Sequence, residues 1–271
     1  MGLATLKKTD GLYLKPQKMD QIFDFSYLGR SKESIAIRSA LISATQILIQ
    51  RAALELDIAP EEFEQIEPKL IESIPVLQIC DQLANGAGFS QKLSEIIEGT
   101  GSPLILKLIK SILSDYHDPL GMKLSTEVHK ASCLGACYKC IQRYGNRTYH
   151  GLLDWRLGLG FLRLLYDPKY KCGLDGNFRY IELENWHDQV EESLINVNML
   201  KPSIYSPPKL REINGLNLWS IENIKNGKKY FVIHPFWSKI YMEKLLGLSI
   251  DSADSKLINS FEVLHMPQNI F

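Results

Sequence analysis

The chain has 271 residues with 45% hydrophobic and 23% charged side chains and a formal net charge of zero. That is enough chain for one large domain or two modest ones with real cores, and the neutral balance gives no global attraction to nucleic acid. No apolar run reaches the roughly 18 residues of a membrane span, because the longest, Pro103 to Leu113, is broken by Lys107 and Lys110. No apolar block follows the early lysines, so a signal peptide is not expected and the expected compartment is the cytoplasm.

In chain order, Gly11 to Leu14 reads as a strand and Ser31 as a helix N-cap. From Ile35 to Leu56, Ala40, Leu41, Ala44, Ile47, Leu48 and Ala52 recur at helical spacing with no Gly or Pro between them, which predicts a long, largely buried helix. Asp57 and Pro60 close it. Phe63 to Ile71 and Val76 to Leu83 predict two strands. Asn85-Gly86-Ala87-Gly88 is a turn opening a helix over Phe89 to Glu98, and Pro103 to Tyr116 predicts another. That turn has two readings: a phosphate cradle at a helix N-terminus, or a tight turn that needs positive backbone angles. The second is favoured, because no phosphate-loop pattern follows.

A cysteine-rich stretch comes next, then a helix over Gly151 to Tyr166 that Asp167-Pro168 terminates. Within this helix Asp154 and Arg156 are expected to form a structural salt bridge, with Arg156 reaching DNA phosphate as the alternative, while Gly158 and Gly160 cost stability unless another backbone approaches closely. A helix from Trp186 to about Asn198 and the proline-rich loop Lys201 to Pro208 follow. Leu216 to Ile221 and Tyr230 to His234 predict strands around the Asn226-Gly227 turn, and Phe261 to His265 a last one. The expected fold class is α+β, with mixed helices, a small sheet and a structural zinc knuckle. A boundary is expected near residue 200, giving segments 1–200 and 201–271.

Charge is segregated along the chain. Ten acidic residues face two basic ones between Glu55 and Gly99, and eleven basic residues face five acidic ones between Gly101 and Cys172. The basic part holds Cys133-x3-Cys137-x2-Cys140, three of the five cysteines within eight residues. Such clustering in a reducing compartment points to metal rather than disulfides. Zinc takes four sulfur or nitrogen ligands, and Gly135 and Ala136 let the backbone curl around an ion. His129 is the first choice for the fourth ligand, with Cys172 and His150 as alternatives. Four protein ligands leave no open position, so the zinc is expected to be structural and to contribute folding energy.

Taken together, Asp81-Gln82-Leu83 with Asn85-Gly86-Ala87-Gly88-Phe89, the Cys133-x3-Cys137-Tyr138-x-Cys140 run, and Tyr144-Gly145-Asn146-x3-His150-Gly-Leu-Leu-Asp154-Trp155-Arg156-Leu-Gly resemble one family. It is the MrfA-type zinc-binding domain, found at the C-terminus of DEAD/DEAH-box helicases and in the DISARM-type phage-defence protein that partners a helicase. The resemblance spans roughly Ser34 to Trp186. It implies that Cys133, Cys137 and Cys140 are zinc thiolates, and that the chain is an accessory of a DNA-translocating helicase in repair or defence. Many members carry a fourth cysteine just upstream of Cys133, where this chain has only His129, Lys130, Ala131 and Ser132.

The chain contains no Gly-x4-Gly-Lys-Ser/Thr phosphate loop and no Asp-Glu-Ala-Asp or Asp-Glu-x-His stretch, so no helicase motor is expected within it. The expectation is a non-enzymatic module whose partners are a DEAD/DEAH-box helicase and DNA. Lys139, Arg143, Arg147 and Tyr144 around the cysteine loop supply the basic and aromatic mixture that grips single strands. A metal-dependent nuclease built on His234, His265, Asp175, Glu182 and Glu184 is the alternative, and a pure protein–protein scaffold a third.

Overall fold

The structure is a computed structural model that describes residues 7–26, 28, 35–115, 117–247 and 254–271. Ser31 and Tyr116 therefore lie outside the described residues. The chain forms two compact units, one of residues 1–18 and 28–170, the other of residues 19–27 and 171–271. The proline-rich loop near residue 200 lies inside the second unit. Both units mix helices with a small antiparallel-rich sheet, so the fold is α+β. Among the described residues, no helix is long and apolar enough to cross a membrane.

The first unit is organised around α1 (Ile35–Leu56), whose residues from Ser39 to Ile49 are all buried. Burial around the whole circumference explains why this helix has no polar face. On one side lies a three-stranded sheet, ordered β1 (Gly11–Leu14), β3 (Ile74–Asp81), β2 (Phe63–Ile71), with both pairings antiparallel. The β2–β3 hairpin turns on Glu72 and Ser73, both at positive φ, as a two-residue turn of matching twist requires. The second strand starts two residues earlier than its apolar run suggests, because Ile74 and Pro75 extend the ladder against Ile71 and Leu70.

On another side, α6 (Trp155–Tyr166) crosses α1 at Gly158. A Cβ there would lie 2.9 Å from the Ser43 Cβ and 3.0 Å from the Ala44 nitrogen. The glycine is the price of that close approach. The helix begins four residues later than expected, since Asp154 is its cap and accepts from the Leu157 N–H at 3.0 Å.

Four shorter helices complete this unit: α2 (Phe89–Ser94), α3 (Leu104–Ser114), α4 (Pro119–Ser125) and α5 (Glu127–Ser132). The last two escaped the sequence reading but carry legible signals. Asp118 caps α4 with Pro119 at its first position, and the Thr126 hydroxyl caps α5. The turn before α2 is filled by protein. Asp81 accepts from the N–H groups of Ala87, Phe89 and Ser90 and from the Ser90 hydroxyl, at 2.6 to 3.1 Å. A fixed carboxylate thus occupies the place a phosphate would need, and the tight-turn reading holds.

The second unit contains α7 (Trp186–Leu200), then a sheet ordered β4 (Lys209–Ile213), β5 (Leu216–Glu222), β6 (Lys229–Ile233), β7 (Ser255–Asn259). The first two pairings are antiparallel, whereas β6 and β7 are parallel. Parallel neighbours need a crossover, and α8 (Lys239–Leu246) lies on it. Phe261 to His265, expected as a strand, belongs instead to α9 (Ser260–His265). Asn259 caps that helix by accepting from the Glu262 N–H at 2.9 Å.

Candidate metal centre

The cysteine loop begins where α5 ends. The Cys133 N–H still bonds to the His129 carbonyl at 2.9 Å, so the last helical turn sets His129 beside Cys133. Further on, Cys137 to Gln142 curls into a tight knuckle. Cys140 and Gln142 both donate their N–H to the Cys137 carbonyl, and the Cys137 N–H points at the Cys140 sulfur at 3.1 Å. This arrangement brings the ligand atoms of His129, Cys133, Cys137 and Cys140 within 4.8 Å of one another.

The spacing suits a tetrahedral ion. Sulfurs bound at about 2.3 Å around one tetrahedral centre must lie about 3.8 Å apart. The Cys137–Cys140 and Cys133–Cys140 sulfurs lie 3.6 and 3.9 Å apart, far beyond disulfide length. No disulfide joins any of the five cysteines.

An orphaned atom makes His129 the candidate fourth donor. His129 is buried, and its Nδ1 lies 3.3 Å from the Leu124 carbonyl, which fixes the ring and the tautomer. Its Nε2 is buried and has no hydrogen-bond partner. A metal ion would satisfy that nitrogen, and a backbone carbonyl on the other ring nitrogen is the usual support for a histidine ligand. Neither alternative shares this geometry. His150 turns its Nε2 to the Arg143 carbonyl and the Asn146 side-chain oxygen at 3.0 and 3.1 Å. Cys172 lies in the second unit, its sulfur 3.3 Å from His234 Nδ1.

The thiols show how unfavourable the cluster is without a cation. The Cys140 thiol is pushed down to about 5, chiefly because Cys133 hydrogen-bonds to it and also because the Cys137 N–H does. Cys133 moves the other way, raised by that same bond and by burial. Cys133 and Cys140, this close, cannot both ionise unless a positive ion lies between them.

One residue of the site was not connected with the cysteines in the sequence. Arg156 on α6 is buried and donates to the carbonyls of Cys133, Leu134 and Lys130 at 2.9, 3.2 and 2.7 Å. Trp155 adds an indole N–H to the Cys133 carbonyl at 3.2 Å, and its backbone N–H bonds to the Gly135 carbonyl at 2.9 Å. Burial pushes the Arg156 guanidinium down, opposed by the negative charge of Asp154, Cys133 and Cys140. A divalent ion with three thiolates and a neutral imidazole would carry one net negative charge, and Arg156 is a buried cation beside the loop that could balance it.

The basic and aromatic residues around the knuckle divide into two groups. Lys139, Tyr144 and Arg147 are exposed, with the Arg147 guanidinium 5.1 Å from the Tyr144 ring centre. Arg143 is half-buried and turned inward, to Glu61 at 2.9 Å and Gln46 at 2.8 Å. Among the described residues, the His129 cluster is the one set of three or more His, Cys, Asp or Glu side chains close enough to share an ion; Asp175, Glu182 and Glu184 form no such set.

No protein-family model, curated protein or solved structure matches the chain.

Proposed function

We propose that His129, Cys133, Cys137 and Cys140 hold a structural zinc ion. The chain then serves as a non-catalytic accessory module of a DEAD/DEAH-box DNA helicase, contacting DNA and the motor in antiphage defence or DNA repair. The observation that carries the zinc reading is the closed donor set with the orphaned His129 Nε2. Three thiolates and an imidazole select zinc over harder ions, and four protein ligands leave a tetrahedral ion no place for a reacting water. Zinc then acts on the fold, tying α5 to the knuckle.

The helicase connection rests on the sequence resemblance. DNA contact is supported by the exposed Lys139, Tyr144 and Arg147 on the knuckle and the turn after it, a combination of backbone-neutralising charge and stacking surface.

Two measurements test the proposal. Elemental analysis of the purified chain should return about one zinc per chain, and a preparation that folds without metal would remove the zinc centre. Affinity capture from native cells under mild salt should recover a DEAD/DEAH-box ATPase in stoichiometric amount. Recovery of the chain alone would remove the accessory-subunit reading.

A further inference from the structure

Beside the knuckle, the first unit contains a cleft of about 530 Å³ between α1, the start of β2 and the 3-10 segment Tyr144–Tyr149, which is kinked at Asn146. That volume suits one small ligand. Its walls include Gln46, Gln65, Gln82, Arg143, Asn146 and Tyr149. Four carboxamides converging on one cleft are unusual, and three of them form a fixed network. Gln46 donates to the Gln65 oxygen at 2.7 Å, and its own oxygen accepts from Asn146 and Arg143, each at 2.8 Å.

Two donors remain over. Gln65 Nε2 and Arg143 Nε are closed off from solvent and have no hydrogen-bond partner, a costly state that an acceptor would relieve once these side chains turn toward the cleft. The charges argue against a simple anion. Glu61 and Glu64 also line the cleft, neutralised by Arg143 and by Lys7 at 2.9 and 2.8 Å. The lining is therefore close to neutral, amide-rich and bordered by Tyr149.

We infer that this cleft is a pocket for a nucleobase, taken unstacked from a single strand. A base is neutral and flat, and carries ring-nitrogen and carbonyl acceptors for the two spare donors. Carboxamides read base edges as paired donor and acceptor, with adenine as their usual partner. The inference rests on the DNA-contact reading above and gives it a substrate class. The turn that supplies Asn146 and Tyr149 to the cleft also carries the exposed Tyr144 and Arg147. A strand with its phosphates at Arg147 and Lys139 would thus have a base within reach of the pocket.

The test uses the zinc-loaded full chain and a labelled short oligodeoxyadenylate, followed by fluorescence anisotropy, beside the same strand made abasic. The normal strand should bind about tenfold more tightly, the worth of one good polar or stacking contact. Gln82→Ala and Gln65→Ala should erase that difference, and Gln82 is exposed, so its variant should melt like the parent. Arg147→Glu should instead weaken both strands alike. Equal binding of normal and abasic strands overturns the base pocket and leaves DNA contact standing. If neither strand binds, DNA contact fails, and saturation-transfer NMR with adenosine decides the pocket. A signal that Gln82→Ala abolishes keeps it as a nucleoside site, and no signal overturns it.

Discussion

The Arg156 guanidinium donates to the Cys133 carbonyl at 2.9 Å, so the residue that opens the metal loop is anchored by a buried cation from α6. The helix also presents Trp155 to the same carbonyl, and Asp154, its cap, donates its backbone N–H to the Ser43 hydroxyl oxygen of α1 at 2.8 Å. Metal loop, α6 and central helix α1 are thereby one hydrogen-bonded assembly. Loss of any part of it should be felt at the metal.

Arg156→Met is the sharpest probe of that linkage. It strands three carbonyls and removes the charge balancing an anionic centre, so it should cost about 2–4 kcal/mol. Arg156→Lys keeps the charge without the fork and should recover part of the loss. Urea unfolding of the zinc-bound proteins, with zinc release to a chelator followed in parallel, measures both. Unchanged release from Arg156→Met would show that the guanidinium supports the loop backbone alone.

Ligand identity should show directly in metal content. His129→Ala, Cys133→Ser, Cys137→Ser and Cys140→Ser should each lose most of the zinc at moderate chelator concentration, since an incomplete donor set binds far more weakly. His150→Ala and Cys172→Ser should retain about one equivalent. Zinc loss from His150→Ala, with His129→Ala still loaded, would reverse the assignment.

Much of this was legible in the sequence. The helix over Ile35–Leu56 matches its expected span, because its limits are written in local chemistry: an unbroken apolar period and then Asp57 and Pro60. The cysteine spacing likewise marked the cluster, and His129 fell within reach because it sits on the helix turn before Cys133. Other features depend on partners far along the chain. Ser255–Asn259 has little strand propensity and becomes β7 by pairing with β6, while Phe261 to His265 reads as a strand until Asn259 caps it as a helix. Arg143 looks like a surface cation among basic neighbours. Glu61 and Gln46, distant in sequence, turn it inward.

Gly158→Ala sets helix propensity against packing. Alanine favours an isolated helix by about 1 kcal/mol, but its Cβ would lie 2.8 Å from an Ile47 methyl and 3.0 Å from a backbone nitrogen of α1. Overpacking of this kind costs about 1–3 kcal/mol, so the variant should melt at a lower temperature than the parent. A higher melting temperature would mean that α1 and α6 can separate without loss.

The Asp81 carboxylate should give the fold an acid-sensitive component. Burial alone would raise its pKa, but the bonds from the Ser90 hydroxyl and the N–H groups of Ser90, Ala87 and Phe89 outweigh it and hold the group below the usual carboxylate range. A lowered folded pKa contributes stability above about pH 4, the unfolded value, and that contribution is lost as pH falls through the folded one. Asp81→Asn should therefore cost about 2–4 kcal/mol at neutral pH and progressively less in acid. Acid release of metal affects both proteins, so the difference between them isolates the carboxylate. A difference that stays constant down to about pH 3 would exclude this role.

Arg143 and Arg147 sit on the same turn and should fail in opposite ways. Arg143→Glu places a carboxylate against Glu61 and breaks the bond to Gln46, so it should cost about 2–3 kcal/mol of stability whether or not DNA is present. Arg147 is exposed, its ring partner Tyr144 equally so, and Arg147→Glu should leave stability within about 0.5 kcal/mol. Its effect should appear in binding, as weaker affinity for every sequence and a salt dependence shallower by about one counterion. Anisotropy titrations over a range of salt, paired with thermal melts of both variants, separate the two. Should Arg143→Glu melt normally, the inward-facing guanidinium would not be a strut of the fold.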